Sequence, residues 1–133
     1  MRLVFALLSA ERSIRRWIDA RAGDSGIGAA GAGVLFHLAA HDDALVGDVT
    51  AALGASASGV SGLISRLEKG GFVVKSPDPA DARAVRLRLT PLGHEAVATA
   101  RVVVRDLNAH LTDGFTEEEL RTVERWLVHA GTI

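Results

Sequence analysis

Residues 56–93 read SASGVSGLISRLEKGGFVVKSPDPADARAVRLRLTPLG, and the period of the apolar residues changes within this stretch. Val60, Leu63, Ile64 and Leu67 follow the spacing of one edge of a helix. Ser56 sits where an N-cap hydroxyl is wanted, just after the tight turn Gly54-Ala55, and Gly70-Gly71 closes the helix. Phe72-Val73-Val74-Lys75 then predicts a short strand. In a second strand Val85, Leu87 and Leu89 alternate with Arg86 and Arg88, which puts the charges on the wet face. Between them, Ser76-Pro77-Asp78-Pro79-Ala80-Asp81-Ala82-Arg83 is a turn built from Pro and Asp.

Working outward, the sequence is helical on both sides. Leu3, Leu7, Ala10, Ile14 and Trp17 make an amphipathic stripe in a first helix that is expected to end near Ala22-Gly23. A second helix is predicted over Ala29–Ala40 with Val34, Leu35 and Leu38 inward, followed by a turn at His41-Asp42-Asp43. A third, about Leu45–Leu53, is expected to bury Leu45, Val49 and Leu53. After Pro91 the helical period returns through Val97, Ala100, Val104, Leu107 and Leu111. The last helix opens with a capping box, Thr116-Glu117-Glu118-Glu119, with Phe115 and Leu120 placed as its staple, and carries Leu120, Val123, Leu127 and Ala130 on one face.

The fold class is therefore mostly α with a small β-hairpin wing (α+β). Short helices, a turn, a helix with a polar outer face and a hairpin make a winged helix-turn-helix, whose last helix suits the DNA major groove. We expect a single domain over residues 1–133, with the winged core at about 29–92. Helices at about 1–22 and 92–131 flank it; their long apolar stripes have little central core left to cover, and a symmetric dimer would bury them.

Composition sets the outer limits. Hydrophobic residues make up 48% of the chain, enough for a core, and there is no Cys, so disulfides and thiolate metal sites are excluded. The formal charge of −1 argues against a nucleic-acid binder only if charge is averaged. From Ser56 to Thr90, Arg66, Lys69, Lys75, Arg83, Arg86 and Arg88 face only Glu68, Asp78 and Asp81, so the remainder of the chain is net negative. The opening Met1–Leu8 run is short and passes at once into Glu11-Arg12-Ser13-Ile14-Arg15-Arg16 with helical spacing, which reads as a helix rather than a leader. With no apolar stretch near membrane-spanning length, the expectation is a soluble, cytoplasmic protein with no membrane partner.

Two segments carry a family resemblance. Ser56–Phe72 resembles the recognition helix of the MarR family of bacterial transcriptional regulators and its exit into the wing. Asp78–Gly93 resembles that family's wing signature, a long ordered pattern with unusual residues at fixed offsets. The resemblance covers about residues 1–130 and implies a homodimeric repressor of double-stranded DNA. It also implies release by a small, often aromatic effector bound between the dimerisation helices and the DNA-binding part. Ser56, Ser58, Ser61 and Ser65 would then donate to phosphates or base edges, and Arg66 and Lys69 would contact the backbone. Arg83 matches the wing-tip Arg that reaches the minor groove, Asp81 the Asp that steadies it, and Arg86 and Arg88 would flank phosphates. Arg16, Trp17, His37 and His94 are candidates for the effector cleft. The absence of Cys excludes the thiol-based peroxide sensing of some relatives. Gly59 and Gly62 depart from the pattern: they stand where many members carry larger polar or basic residues, which shifts specificity towards the serines, the wing and DNA shape.

Gly26-Ile27-Gly28-Ala29-Ala30-Gly31 formally fits a dinucleotide fingerprint, but a helix and not a strand precedes it. His37, His41, His94, His110 and His129 are dispersed and lack metal-ligand spacing, so no metal or cofactor is expected. No catalytic constellation can be assembled, and an enzyme is not expected. Two further readings stay open: a winged-helix protein with architectural DNA binding and no effector, and a protein-interaction module that has lost specific DNA binding.

Overall fold

A computed structural model describes residues 1–133, apart from the side chain of Asp24. By its internal contacts the chain divides into two compact units, Met1–Ala100 and Arg101–Ile133.

The first unit opens with helix α1 (Leu3–Ala20) and a 3-10 turn at Gly23–Ser25, so the helix stops two residues earlier than its apolar stripe suggested. Helix α2 (Ala29–Ala40) follows, then a two-residue strand β1 (Ala44–Leu45), α3 (Val46–Leu53) and α4 (Ala57–Lys69). Strands β2 (Val73–Pro77) and β3 (Val85–Leu89) lead into α5 (Pro91–Thr112), which continues into the second unit.

The sheet corrects the expectation of a simple hairpin. It is three-stranded and antiparallel in the order β1-β3-β2, with Leu45 opposite Arg86 and Ala44 opposite Leu87. A two-residue strand is too short to show alternation, so Leu45 reads from sequence as the start of the third helix. In the structure it is the extended residue before α3. The β2–β3 register runs from Val73 opposite Leu89 to Pro77 opposite Val85, so β2 extends into what the sequence presented as turn.

One core holds these elements together. Val34, Leu35 and Leu38 of α2 pack with Val49, with Val60, Ile64 and Leu67 of α4, and with Val73, Leu87 and Val97. Each such side chain contributes about 1.5–3 kcal/mol of transfer free energy. Leu45 and Leu53 lie at its margin and are half-buried, not buried. The start of α5 is pinned to this core. Thr90 Oγ1 accepts the N–H of Gly93 at 3.0 Å, and the Thr90 N–H donates to the Phe72 carbonyl at 3.1 Å. Pro91 sits in the first turn, where its missing N–H costs nothing.

No residue of α1 is buried within the chain, and Leu3, Val4, Phe5 and Leu8 are exposed. The second unit ends in α6 (Glu117–Ala130), whose N-cap Thr116 and Glu119 form the reciprocal pair of a capping box, at 3.2 and 2.8 Å. Val123, Leu127 and Val128 on α6 are exposed, as is Phe115 before it, so the expected staple covers little of that ring.

Candidate nucleic-acid interface

The interface is built on α4. Spacings of three and four residues put Ser58, Ser61, Gly62 and Ser65 on the side opposite Val60, Ile64 and Leu67, which the core anchors. The outer face therefore consists of hydroxyls and bare backbone, with Arg66 and Lys69 exposed in its last turn. Ser56 is committed locally: its Oγ accepts the Gly59 N–H at 3.2 Å as the N-cap. Ser58 and Ser61 are exposed and Ser65 is half-buried.

The wing supplies the second arm. The Asp81 carboxylate accepts from the backbone N–H of Arg83 at 3.0 Å and from its Nε at 3.3 Å. That carboxylate holds the base of a side chain that is 92% exposed. The loop is closed behind it by Asp78 N–H to the Ala84 carbonyl and Ala84 N–H to the Asp81 carbonyl, both at 3.0 Å. Arg88 is exposed on β3.

Arg86 is placed differently from expectation. Strand alternation put it free on the wet face; in the structure its part-exposed guanidinium is tied to two acceptors on the protein. Its Nε donates to Asp78 Oδ1 at 2.9 Å and its NH1 to the Asp43 backbone carbonyl at 2.7 Å. The guanidinium holds the Asp78 carboxyl below the usual carboxylate range, chiefly through this hydrogen bond, and the carboxylate raises the Arg86 pKa in turn.

Helix α4 and the hairpin meet in one concavity. A cleft of about 430 Å³ is lined by Ser61 and Ile64 of α4, by Leu45, Val46 and Asp48, and by Lys75, Arg83 and Val85. Its walls are largely apolar, and its cations are Lys75 and Arg83. Lys75, which pairs with Glu68 at 3.6 Å, was visible in the sequence only as part of the local positive charge. Nothing in its neighbours along the chain marked it as a site residue.

The four effector candidates do not line this cleft. Arg16 NH2 donates to Ser13 Oγ at 3.3 Å, and the half-buried Trp17 carries the Arg21 guanidinium 3.3 Å from its ring centroid. His37 stacks on His41 with ring centroids 4.4 Å apart, and His94 is exposed in the first turn of α5. Among the described residues, no group of three or more His, Asp or Glu could hold a metal ion. No helix there is long and apolar enough to cross a membrane.

Comparison with known proteins agrees with this geometry. Residues 25–84 match the model of the MarR family. YsmB of Bacillus subtilis, named as an uncharacterised HTH-type transcriptional regulator, is 28% identical over 86 residues, which are 65% of this chain and 59% of that protein. The chain thus matches less than two thirds of this relative's length. A MarR variant from E. coli complexed with operator DNA shares 23% identity at a TM-score of 0.88, over 98% of this chain and 94% of that one. BpsR of Bordetella bronchiseptica, whose DNA binding is regulated by 6-hydroxynicotinic acid, shares 25% identity at a TM-score of 0.85, over the full length of both chains. Residues 25–84 are thus similar to the MarR family, and the chain has the winged helix-turn-helix fold of the MarR structures that it matches.

Proposed function

We propose that this protein is a DNA-binding transcriptional regulator that works as a homodimer and represses until a small molecule releases it. The observation that supports this best is the convergence of Ser61, Lys75 and Arg83 on one cleft beside the outer face of α4. Hydroxyls and bare backbone suit close approach to a groove, while the wing brings a cation to a neighbouring stretch of phosphates. The exposed apolar residues of α1 and α6 favour burial against a second copy. The regulators to which the chain is similar favour the same reading.

For the effector, the cleft fits a small aromatic acid: apolar walls for a ring, Lys75 and Arg83 for a carboxylate. Such a ligand would occupy the cations that phosphates need. That is the differential affinity which a release mechanism requires.

The deciding experiment is fluorescence anisotropy with a fragment of the protein's own upstream region, at two salt concentrations and with unlabelled random competitor. Tight, salt-sensitive binding that survives competitor is expected. Binding no better than to random DNA would reject the sequence-reading regulator in favour of architectural binding. A panel of small aromatic acids, scored by thermal shift and by DNA release, tests the effector. Loss of the response in Lys75→Ala locates it in the cleft, whereas loss only in Trp17→Ala or His37→Ala moves it to the helices.

A further inference from the structure

We infer that Arg86 is a positioning residue for the wing: it ties the base of the wing loop to the turn between α2 and β1, and it acts on DNA through Arg83 without contact of its own. The inference rests on the DNA-binding reading above.

Three observations carry it. First, one guanidinium spans two segments distant in sequence, reaching Asp78 at the mouth of the wing loop and the carbonyl of Asp43 before β1. Second, the link is sheltered. The Asp78 side chain is 9% exposed and that of Arg86 30%, in contrast to the open Arg83. Third, the acceptor is aimed by the backbone. Asp43 has φ +54°, the one positive φ outside glycine among the described residues, in the left-handed region that Asp tolerates better than most. Its carboxylate Oδ2 lies 4.0 Å from Arg86 NH1, so the carbonyl makes the shorter contact.

The β1–β3 pairing explains why the link exists. Leu45 lies opposite Arg86, which brings the preceding Asp43 alongside the Arg86 side chain. At the other end Asp78 receives that side chain and closes the loop through its own N–H to the Ala84 carbonyl. Whatever holds Asp78 therefore holds the hairpin end on which Arg83 stands. Arg86 already faces a carboxylate and a carbonyl, so a phosphate would meet a neutralised pair there.

The prediction differs in sign from simple electrostatics. Removing the acidic Asp78 ought to tighten DNA binding if Arg86 served as a phosphate contact, because it frees a cation and deletes an anion. As a positioning pair, Asp78→Asn and Arg86→Ala both weaken binding, by about tenfold each. Arg86→Ala should add less than about twofold on top of Arg83→Ala, since it acts through that residue. Asp43→Asn should stay within about twofold of the parent, because the carbonyl remains. Backbone hydrogen exchange on the DNA-free protein reads the positioning directly. Arg86→Ala should accelerate exchange at Asp78, Arg83 and Ala84 while Leu35 and Ile64 stay protected, which shows that the core remains folded. Tighter binding in Asp78→Asn, or full additivity of Arg86→Ala with Arg83→Ala, overturns the inference. If the parent protein proves not to bind DNA, the regulator reading fails by itself. The exchange comparison then decides alone, with unchanged wing protection in Arg86→Ala overturning the positioning role.

Discussion

A single carboxylate oxygen of Asp81 accepts both the backbone N–H of Arg83 and its Nε, at 3.0 and 3.3 Å. Arg83, whose side chain is 92% exposed, is thereby oriented from a residue two positions earlier. Arg83→Ala should weaken binding to specific and random DNA alike and lower the slope of log affinity against log salt by about 1. Asp81→Ala should also weaken binding, although it removes a negative charge. Anisotropy titrations across a salt series check both, and tighter binding in Asp81→Ala would show that the pairing restrains Arg83 instead of presenting it.

Gly62 lies mid-helix on the outer face of α4, and a Cβ added there meets nothing within 4 Å. The fold does not require this glycine, so Gly62→Ala should raise stability by about 1 kcal/mol in urea unfolding. Gly59→Ala should gain less, because its Cβ would lie 3.0 Å from the capping Ser56 Oγ. If bare backbone approaches the bases, Gly62→Ala will be the more stable protein and the weaker binder. Equal or better binding would remove Gly62 from the interface.

Gly93 is the opposite case. A Cβ there would sit 2.1 Å from the Phe72 carbonyl oxygen and 3.1 Å from Leu89 Cδ2. The first turn of α5 rests directly on the backbone between α4 and the wing. Gly93→Ala should cost about 2 kcal/mol or more in urea unfolding. A loss under about 0.5 kcal/mol would mean that this contact is looser than the structure has it.

The Asp78–Arg86 pair gives a pH dependence of defined sign. Asp78 is held below the usual carboxylate range in the folded protein, chiefly by its hydrogen bond from Arg86. Its contribution is therefore complete above the unfolded value of about 4 and is lost as pH falls through the lower folded value. The difference in wing-amide protection between the parent and Asp78→Asn should hold constant from pH 8 to 5 and close only below about pH 4. A difference that closes between pH 7 and 6 would assign it to another group.

The helices of this protein were legible because each carries local signals. Val60, Ile64 and Leu67 repeat at helical spacing in α4, Ser56 and Thr116 announce N-termini through capping chemistry, and Gly70-Gly71 marks an end. The wing was legible from the alternation about Leu87 and from the Pro-Asp loop, and Asp81 lies close enough to Arg83 for their pairing to be expected. The sequence by itself therefore determined the order of the helices and the hairpin, the polar outer face of α4 and the exposed wing-tip cation, all of which rest on interactions within a few residues. Tertiary structure alone decided the rest. Strand β1 is two residues long and exists because β3 offers it a partner. Lys75 and Ser61 share a cleft because α4 and the hairpin pack on one core. Arg86 is held by acceptors that lie 8 and 43 positions away in the chain, beyond the reach of any local pattern. Periodicity reports which side of an element faces the core; only the packed chain decides which distant group meets a given side chain there.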